Sequence, residues 1–460
     1  MTCITTLPVY SKVADDHIIP LAIRERLPPG FHLSQHQAET YHAILDNSLD
    51  VVFNTAMTGD GKSLAGQLPA LIHSWPAMSM YPTNELLYDQ LRQIEQAMHL
   101  WKRDDLLVTR LDAQRLDELE ADTELQRAAA LLNLLRNHEF VCTNPDIFHY
   151  VMQQYYIHTG KRGDTPDKVL GPMLNLFKQF TFDEFHVFQT PQVVSVINAL
   201  LFIHTVVGDT QPKKFLFLSA TPGELLLRYL ERAGLRYAHI HGDYAHASSN
   251  PEPARWRRIL HGNSLTFAPQ RAEEWIEAHM ADILLRFFLT HRPAAKGAII
   301  VNSVASAQRL VAKLRPLLAS HELTVESNTG FDARSRRRDS YAADLLIGTS
   351  TIDIGVDFQI NFLVFESHDA GSFLQRLGRL GRHSSFARHG TTHQFEAFEA
   401  HALLAPWLYE NLFQAEVGET PLLMDGMELD REQLRQTLRE TSPTAATFEH
   451  YGRLWGRTHA

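Results

Sequence analysis

Short apolar runs alternate with longer helical patterns along this chain. In the first half the runs are Val51-Val-Phe-Asn54, Met78-Ser-Met-Tyr81, Phe140-Val-Cys142, Phe180-Thr-Phe-Asp183 and Phe215-Leu-Phe-Leu218. Continuous apolar strands separated by helices predict a parallel sheet covered on both faces. The alternation lapses between Gly223 and Pro293, which reads as helical and irregular, with Ser248-Ser-Asn-Pro-Glu-Pro253 as its clearest loop. It resumes with Gly297-Ala-Ile-Ile-Val301, Leu323-Thr-Val325, Asp344-Leu-Leu-Ile347 and Phe362-Leu-Val-Phe365. After Arg382 the chain turns His-rich and then reads as helices, including Asp430 to Glu440, with no further strand set. The predicted organisation is a first α/β domain over 1–225, a helical linking segment over 226–292, a second α/β domain over 293–405 and a short helical tail over 406–460.

Composition adds bounds rather than a fold. The 460 residues are 44% apolar and 21% charged, ordinary globular values that exclude a disordered chain, a collagen-like repeat and a disulfide scaffold. The net charge of −10 means that any polyanion site is a local groove and not a basic coat; the basic clusters are Arg255-Trp-Arg-Arg258 and Arg334-Ser-Arg-Arg-Arg338. Two cysteines, Cys3 and Cys142, suit a reducing cytosol, and none of the 25 histidines stands in an H-E-x-x-H or Cys/His ligand pattern. The start, Met1 to Asp16, lacks a basic region followed by an apolar run, so a cytoplasmic location is expected. The longest apolar stretch, Val193 to Val207, is interrupted by polar residues and falls short of the ~20 residues of a membrane span. It predicts a buried helix ending near Gly208.

The chemistry begins directly after the strand Val51 to Asn54, at Ala56-Met-Thr-Gly-Asp-Gly-Lys-Ser63, followed by a helical pattern from Leu64 to His73. Strand, glycine loop and helix in that order make a phosphate-binding loop. Thr58, Gly59 and Gly61 belong to the curl whose N–H groups face phosphate oxygens, Lys62 offsets the β/γ charge, and Ser63 offers its hydroxyl to Mg²⁺. Ala56 stands where the usual pattern has its first glycine. Asp183-Glu-Phe-His186 follows the strand Phe180 to Phe182, where ligands of open α/β sheets bind. Asp183 is the expected metal-side carboxylate, Glu184 the water-activating base, and His186 completes the catalytic box.

These motifs and their order from about Leu33 to Arg382 resemble the DExH/DEAD-box helicases of superfamily 2. The resemblance implies two tandem RecA-like domains, ATP and Mg²⁺ as cofactors, and nucleotide gripped by motifs of both. Gln37 in Leu33-Ser-Gln-His-Gln37 matches the adenine-reading glutamine, with His36 where many relatives carry an aromatic. Pro82-Thr83-Asn84 with Gln90, and Thr143-Asn-Pro145-Asp146, match motifs that touch the nucleic-acid backbone. Ser219-Ala-Thr221 is similar to the motif coupling hydrolysis to movement. In Gly348-Thr-Ser-Thr-Ile-Asp-Ile-Gly-Val-Asp357, Thr349 matches a phosphate-contacting position and Gly355 and Asp357 nucleotide-facing ones. The last match, Gln375-Arg-Leu-Gly-Arg-Leu-Gly-Arg382, implies arginine fingers at Arg379 and Arg382, which helical spacing puts on one face, with Gln375 in the coupling set.

Within the superfamily the whole looks like the helicase subunit of type I CRISPR interference systems, the compact type I-D form in particular. That resemblance implies 3′ to 5′ translocation on single-stranded DNA displaced by a Cascade-type surveillance complex. About fifty residues precede the phosphate loop, too few for the HD nuclease that many relatives fuse there, so the nuclease is expected on a separate partner subunit; no membrane partner is expected. The alternatives are a DNA-repair or RNA-remodelling helicase of the same superfamily and a catalytically silent nucleic-acid-binding subunit. Intact Lys62, Asp183, Glu184, Arg379 and Arg382 speak against the last.

Overall fold

The computed structural model describes residues 1–123, 127–155, 169–188, 190–208, 211–219, 224–332, 339–350, 352, 359–388, 390–414 and 420–441. They form two compact units, one of Lys12–Asp243 and the other of Met1–Ser11 with Tyr244–Ala445. Both are α/β units on mainly parallel sheets. In chain order the strands are β1 (Thr2–Thr6), β2 (Val9–Lys12), β3 (Val51–Asn54), β4 (Ala77–Met80), β5 (Val108–Leu111), β6 (Phe140–Thr143), β7 (Gln179–Asp183), β8 (Lys214–Leu218) and β9 (Tyr237–Ile240). They continue with β10 (Tyr244–His246), β11 (Trp256–Leu260), β12 (Asn263–Ala268), β13 (Gly297–Ile300), β14 (Val325–Asn328), β15 (Leu345–Gly348), β16 (Phe362–Ser367), β17 (Ser385–Arg388), β18 (Thr391–Gln394), β19 (Glu399–Leu404) and β20 (Glu428–Leu429).

The unit of Lys12–Asp243 carries a parallel sheet in the order β5-β6-β4-β7-β8-β3-β9. Every residue of β3, β4, β6, β7 and β8 is buried, which is why most of their positions are apolar and β3 and β8 carry runs such as Val51-Val-Phe53 and Phe215-Leu-Phe-Leu218. Alternate side chains go to opposite faces. Val51 and Phe53 join the large core on one side, and Val52 packs with Ala43 and Ile44 of the helix Gln35–Leu45 on the other. A row of rings crosses four neighbouring strands in register: Phe182 to Phe217 at 4.8 Å, Phe217 to Phe53 at 5.1 Å and Phe53 to His239 at 5.0 Å, all stacked. The longest apolar stretch is a helix, Thr190–Val207, as expected, and among the described residues no helix is long and apolar enough to cross a membrane.

In the other unit the sheet order is β14-β15-β13-β16-β19-β12-β1-β20. Its strands from β14 to β12 are parallel, and β1 closes onto β12 antiparallel, Ile4 opposite Leu265. Three features differ from the sequence reading. The first eleven residues belong with this unit rather than with 1–225, because Ile4 is fully buried in its core. The stretch 226–292 holds β9 to β12 besides its helices, so it is no helical linker. After Arg382 comes a further strand set, with β19 deep in the sheet.

The last miss has a physical cause. Glu399-Ala-His-Ala-Leu-Leu404 reads as polar, yet His401 is 3% exposed and bonded through Nδ1 to Thr266 Oγ1 at 2.7 Å. Burial pushes its pKa down to about 3, so it stays neutral and packs as an aromatic against Trp275 and Phe362. The helices Pro406–Phe413 and Arg431–Thr441 agree with the expected helical C-terminal region.

Phe217→Ala tests the ring row. Removing this fully buried ring is expected to cost about 3–5 kcal/mol, read as a lower urea midpoint for the unit of Lys12–Asp243. A loss under about 1 kcal/mol would show that the row does not hold the sheet.

Candidate functional site

The site lies at the carboxyl edge of the β5-to-β9 sheet. Leaving β3, the chain turns through Gly59 (φ +95°) and Gly61 (φ +77°), left-handed positions that glycine adopts without steric cost. At Gly61 a Cβ would lie 2.5 Å from Gln37 Nε2, so the loop also needs the missing side chain for room. Gly61 then caps the helix Lys62–His73, and Thr58 is half-buried in the loop.

A polar network under the loop was not foreseen from the sequence. Asn54 Oδ1 accepts from Ala56 N–H (3.0 Å), and its Nδ2 donates to His36 Nδ1 (3.0 Å) and Thr40 Oγ1 (2.9 Å). With Nδ1 accepting, His36 carries its proton on Nε2 and donates it toward the Asp60 carbonyl (3.0 Å) and carboxylate (3.2 Å). Asp60, 0% exposed, also accepts from Ser34 Oγ at 2.9 Å. Gln37 accepts from Ser34 N–H (2.9 Å) and donates to the Gly61 carbonyl (2.9 Å), so it braces the loop with both ends of its amide. The available signal was His36 beside Gln37 and an acid between the two loop glycines: each is an oddity alone, and together they are a pair.

Lys62 lies at the first position of its helix, with Nζ donating to the Ala56 carbonyl at 2.7 Å. Ser63 Oγ donates to Asp183 Oδ2 at 2.9 Å, which joins the loop to the end of β7. Asp183 is 4% exposed; burial first and the Glu184 charge second push its pKa up to about 7, against the pull of Ser63 and Lys62. Glu184 sits at φ +48°, a left-handed conformation that costs a non-glycine residue roughly 1–2 kcal/mol. Phe185 accounts for it: its ring is buried edge-on against Phe217 at 4.9 Å and drags the chain inward. The Glu184 carboxylate turns toward His186 Nδ1 at 3.5 Å, and loss of water around that ring lowers the His186 pKa despite this carboxylate. A hydroxyl and a carboxylate at one point form a hard oxygen donor set of the kind Mg²⁺ takes, and the N–H groups of the curled loop with Lys62 suit polyphosphate.

Other predicted positions line the same edge. Thr83, after Pro82, caps the helix Asn84–Leu100 by accepting from Leu86 N–H at 3.2 Å. Asn144 caps Pro145–Met152 and donates to Asn84 Oδ1 at 2.9 Å, so the segments after β4 and β6 are tied together beside β7. Asp146 is exposed and accepts from Gln192 at 3.2 Å. Thr143 is fully buried and donates its hydroxyl to the Leu111 carbonyl at 2.8 Å. Ser219 is buried, its N–H bonded to the Asn54 carbonyl at 3.2 Å, while Thr221 lies outside the described residues.

In the second unit Thr349 follows β15 and is buried, and Gly355 and Asp357 lie outside the described residues. Gln375 is on the helix Ala370–Leu377. Arg379 and Arg382 do not share a helix face, because the helix stops at Leu377. Tight turns (Arg379 N–H to Arg376 O, 2.9 Å) carry the chain to Gly381, whose φ of +80° breaks it. Arg379 is 5% exposed, and Arg382 Nε donates to the Gly378 carbonyl at 2.6 Å.

Residues 34–227 match the family model of the DEAD/DEAH box helicases, and residues 293–385 match that of the C-terminal part of the CRISPR-associated nuclease/helicase Cas3. No curated protein matches the sequence. Solved structures of similar fold include the DUF1998 helicase MrfA bound to DNA (15% identity, TM-score 0.65, covering 93% of this chain and 57% of that one). Others are the Mycobacterium smegmatis helicase Lhr bound to ssDNA and AMP-PNP (16%, 0.58, 84% and 47%) and Saccharomyces cerevisiae Dbp5 bound to RNA and ADP BeF3 (13%, 0.56, 94% and 100%). The chain thus spans about half the length of MrfA and Lhr. Its fold is that of tandem RecA-like domains, with a DEAD/DEAH helicase region followed by a Cas3-like one.

The raised Asp183 pKa sets a pH dependence. The folded, metal-free protein holds this proton up to about pH 7, and the unfolded chain releases it near 3.8. The unfolded state therefore binds fewer protons in that interval, and stability falls as pH rises from about 4 to 7. Asp183→Asn is expected to flatten this decline in urea titrations run with a chelator; an unchanged slope would contradict the assignment.

Proposed function

We propose that this protein is an ATP-dependent helicase that moves 3′ to 5′ on single-stranded DNA in type I CRISPR interference, in the compact manner of the type I-D subunits. It would open target DNA for a nuclease carried on a separate HD subunit, recruited by a Cascade-type surveillance complex in the cytoplasm. The observation that carries the ATPase reading is the 2.9 Å contact of Ser63 with Asp183, made beside Lys62 and Glu184 at the carboxyl edge of a parallel sheet. The Cas3-like match over 293–385 supports the CRISPR assignment.

The roles follow from charge and reach. Lys62 leaves the Ala56 carbonyl for the β- and γ-phosphates, while Thr58, Gly59 and Gly61 present backbone N–H groups to them. Ser63 and Asp183 would hold Mg²⁺, which supplies charge compensation to the phosphates. Glu184, with His186 beside it, orients the attacking water and takes its proton. Arg379 and Arg382 stabilise the charge that develops on the transferred phosphoryl group, Gln37 links loop position to the bound nucleotide, and Gly355 and Asp357 complete its site. Ser219, Thr221 and Gln375 couple turnover to movement. Pro82, Thr83, Pro145, Asp146 and Thr349 follow the nucleic-acid backbone, so sequence selectivity is low. RNA remodelling is the second reading, favoured by the RNA-bound Dbp5 among the folds of this type.

ATP turnover measured at one salt concentration without nucleic acid, with single-stranded DNA and with single-stranded RNA decides between them. DNA alone is expected to stimulate; stimulation by RNA alone would move the protein to the second reading. Lys62→Ala should abolish turnover, and Arg379→Ala or Arg382→Ala should lower it by about 10³- to 10⁵-fold. Glu184→Gln should bind ATP without hydrolysing it, and hydrolysis at the parental rate would remove Glu184 as the base.

A further inference from the structure

At the amino end of the sheet in the unit of Lys12–Asp243, two successive lysines are buried where β8 begins. Lys214, 3% exposed, is satisfied: its Nζ donates to the Asp46 carbonyl at 2.6 Å and to that of Leu49. Lys213, 7% exposed, has neither a hydrogen bond nor an ion pair among the described residues. Burial first and the Lys178 charge second lower its pKa. It lines a cavity of about 310 Å³ together with His204, Asp50 and Arg236, and Ile203, Val207 and Phe215 supply an apolar wall.

Charge in this cavity does not close. Asp50 accepts from Arg236 Nε at 3.1 Å, from Nη2 at 3.0 Å and from the Arg236 backbone N–H at 2.9 Å, a bidentate pair whose charges cancel. The Lys213 ammonium is left over. A buried ammonium without an acceptor is unfavourable, and an anion entering the cavity would relieve it. The surplus is one positive charge, so a monoanion fits; a phosphate dianion would bring excess negative charge beside Asp50. The apolar wall requires hydrocarbon next to that charge.

We propose that this cavity binds a carboxylate carried on a short apolar body, with Lys213 as its counter-ion. The source is taken as a free organic acid; a glutamate side chain of a partner protein is the other source of the same chemistry. β3 begins immediately after Asp50 and ends before the phosphate loop, so the cavity and the loop lie at opposite ends of one strand and are separate sites.

The melting temperature in sodium hexanoate, against sodium chloride at equal ionic strength, tests the site in the parent and in Lys213→Met. Hexanoate is expected to raise the parent's value by more than chloride does, and K213M should lose that excess. By calorimetry K213M should bind hexanoate about 10- to 100-fold more weakly. No excess in the parent, or an equal excess in K213M, would overturn the site. Without hexanoate K213M should melt at or above the parent, since no native partner is removed. Melting well below it would give Lys213 a partner within the chain and would also overturn the site. Inorganic phosphate should shift parent and K213M alike; a phosphate shift lost in K213M would overturn the carboxylate assignment. A short peptide with one glutamate and blocked ends, run beside hexanoate, identifies the source. Tighter binding of hexanoate supports a free acid, and tighter binding of the peptide makes the ligand a protein carboxylate.

Discussion

Four stacked rings set the geometry on which the rest depends. Phe182, Phe217, Phe53 and His239 stand opposite one another on adjacent strands, one residue before the carboxyl ends of those strands. A slip of one residue in any pair would send a ring to the opposite face of the sheet and leave a void in a core packed without slack. With register fixed, Asn54, Asp183 and Leu218 end at one level, and Ser219 reaches the Asn54 carbonyl. The same row explains the strained residue. Phe185 folds back onto Phe217, and Glu184 takes up the resulting left-handed turn, which sets its carboxylate beside Asp183.

Charge in this edge is arranged for a partner to arrive. Asp60 is neutralised in effect by donors from Ser34 and His36, a closed network that makes the loop part of the core. Asp183 differs: burial and the Glu184 charge hold a proton on it against the pull of Ser63 and Lys62, and a cation would displace that proton. Lys62 rests on a carbonyl, a weak partner compared with a phosphate, so its transfer to nucleotide is favourable. In the second unit Arg431 is 4% exposed, and its Nε and Nη2 have no hydrogen-bond partner among the described residues.

Much of this was legible because strands buried on both faces are written as unbroken apolar runs, as in Phe215-Leu-Phe-Leu218, and because glycines at positive φ leave a visible spacing at Gly59 and Gly61. What stayed hidden has one cause: side chains whose polarity is cancelled by partners distant in sequence. His401 makes β19 look like a loop until Thr266 and the surrounding rings are present. Asp60 looks solvated until His36 is seen against it. Thr143 looks solvated until its acceptor, the Leu111 carbonyl 32 residues away on the neighbouring strand, is placed beside it. The arginine pair looks helical because Gly378 and Gly381 end the helix through turn geometry that spacing alone does not show.

On the function proposed above, the carboxyl edge of β3 and β7 is a nucleotide site whose buried carboxylate exchanges its proton for a metal ion. Calorimetry of a non-hydrolysable ATP analogue, with and without Mg²⁺, in buffers of different ionisation enthalpy at about pH 6, tests it most directly. Binding is expected to require Mg²⁺ and to release a proton, with the release lost in Asp183→Asn. Binding of equal strength without Mg²⁺ and with no proton released would contradict it.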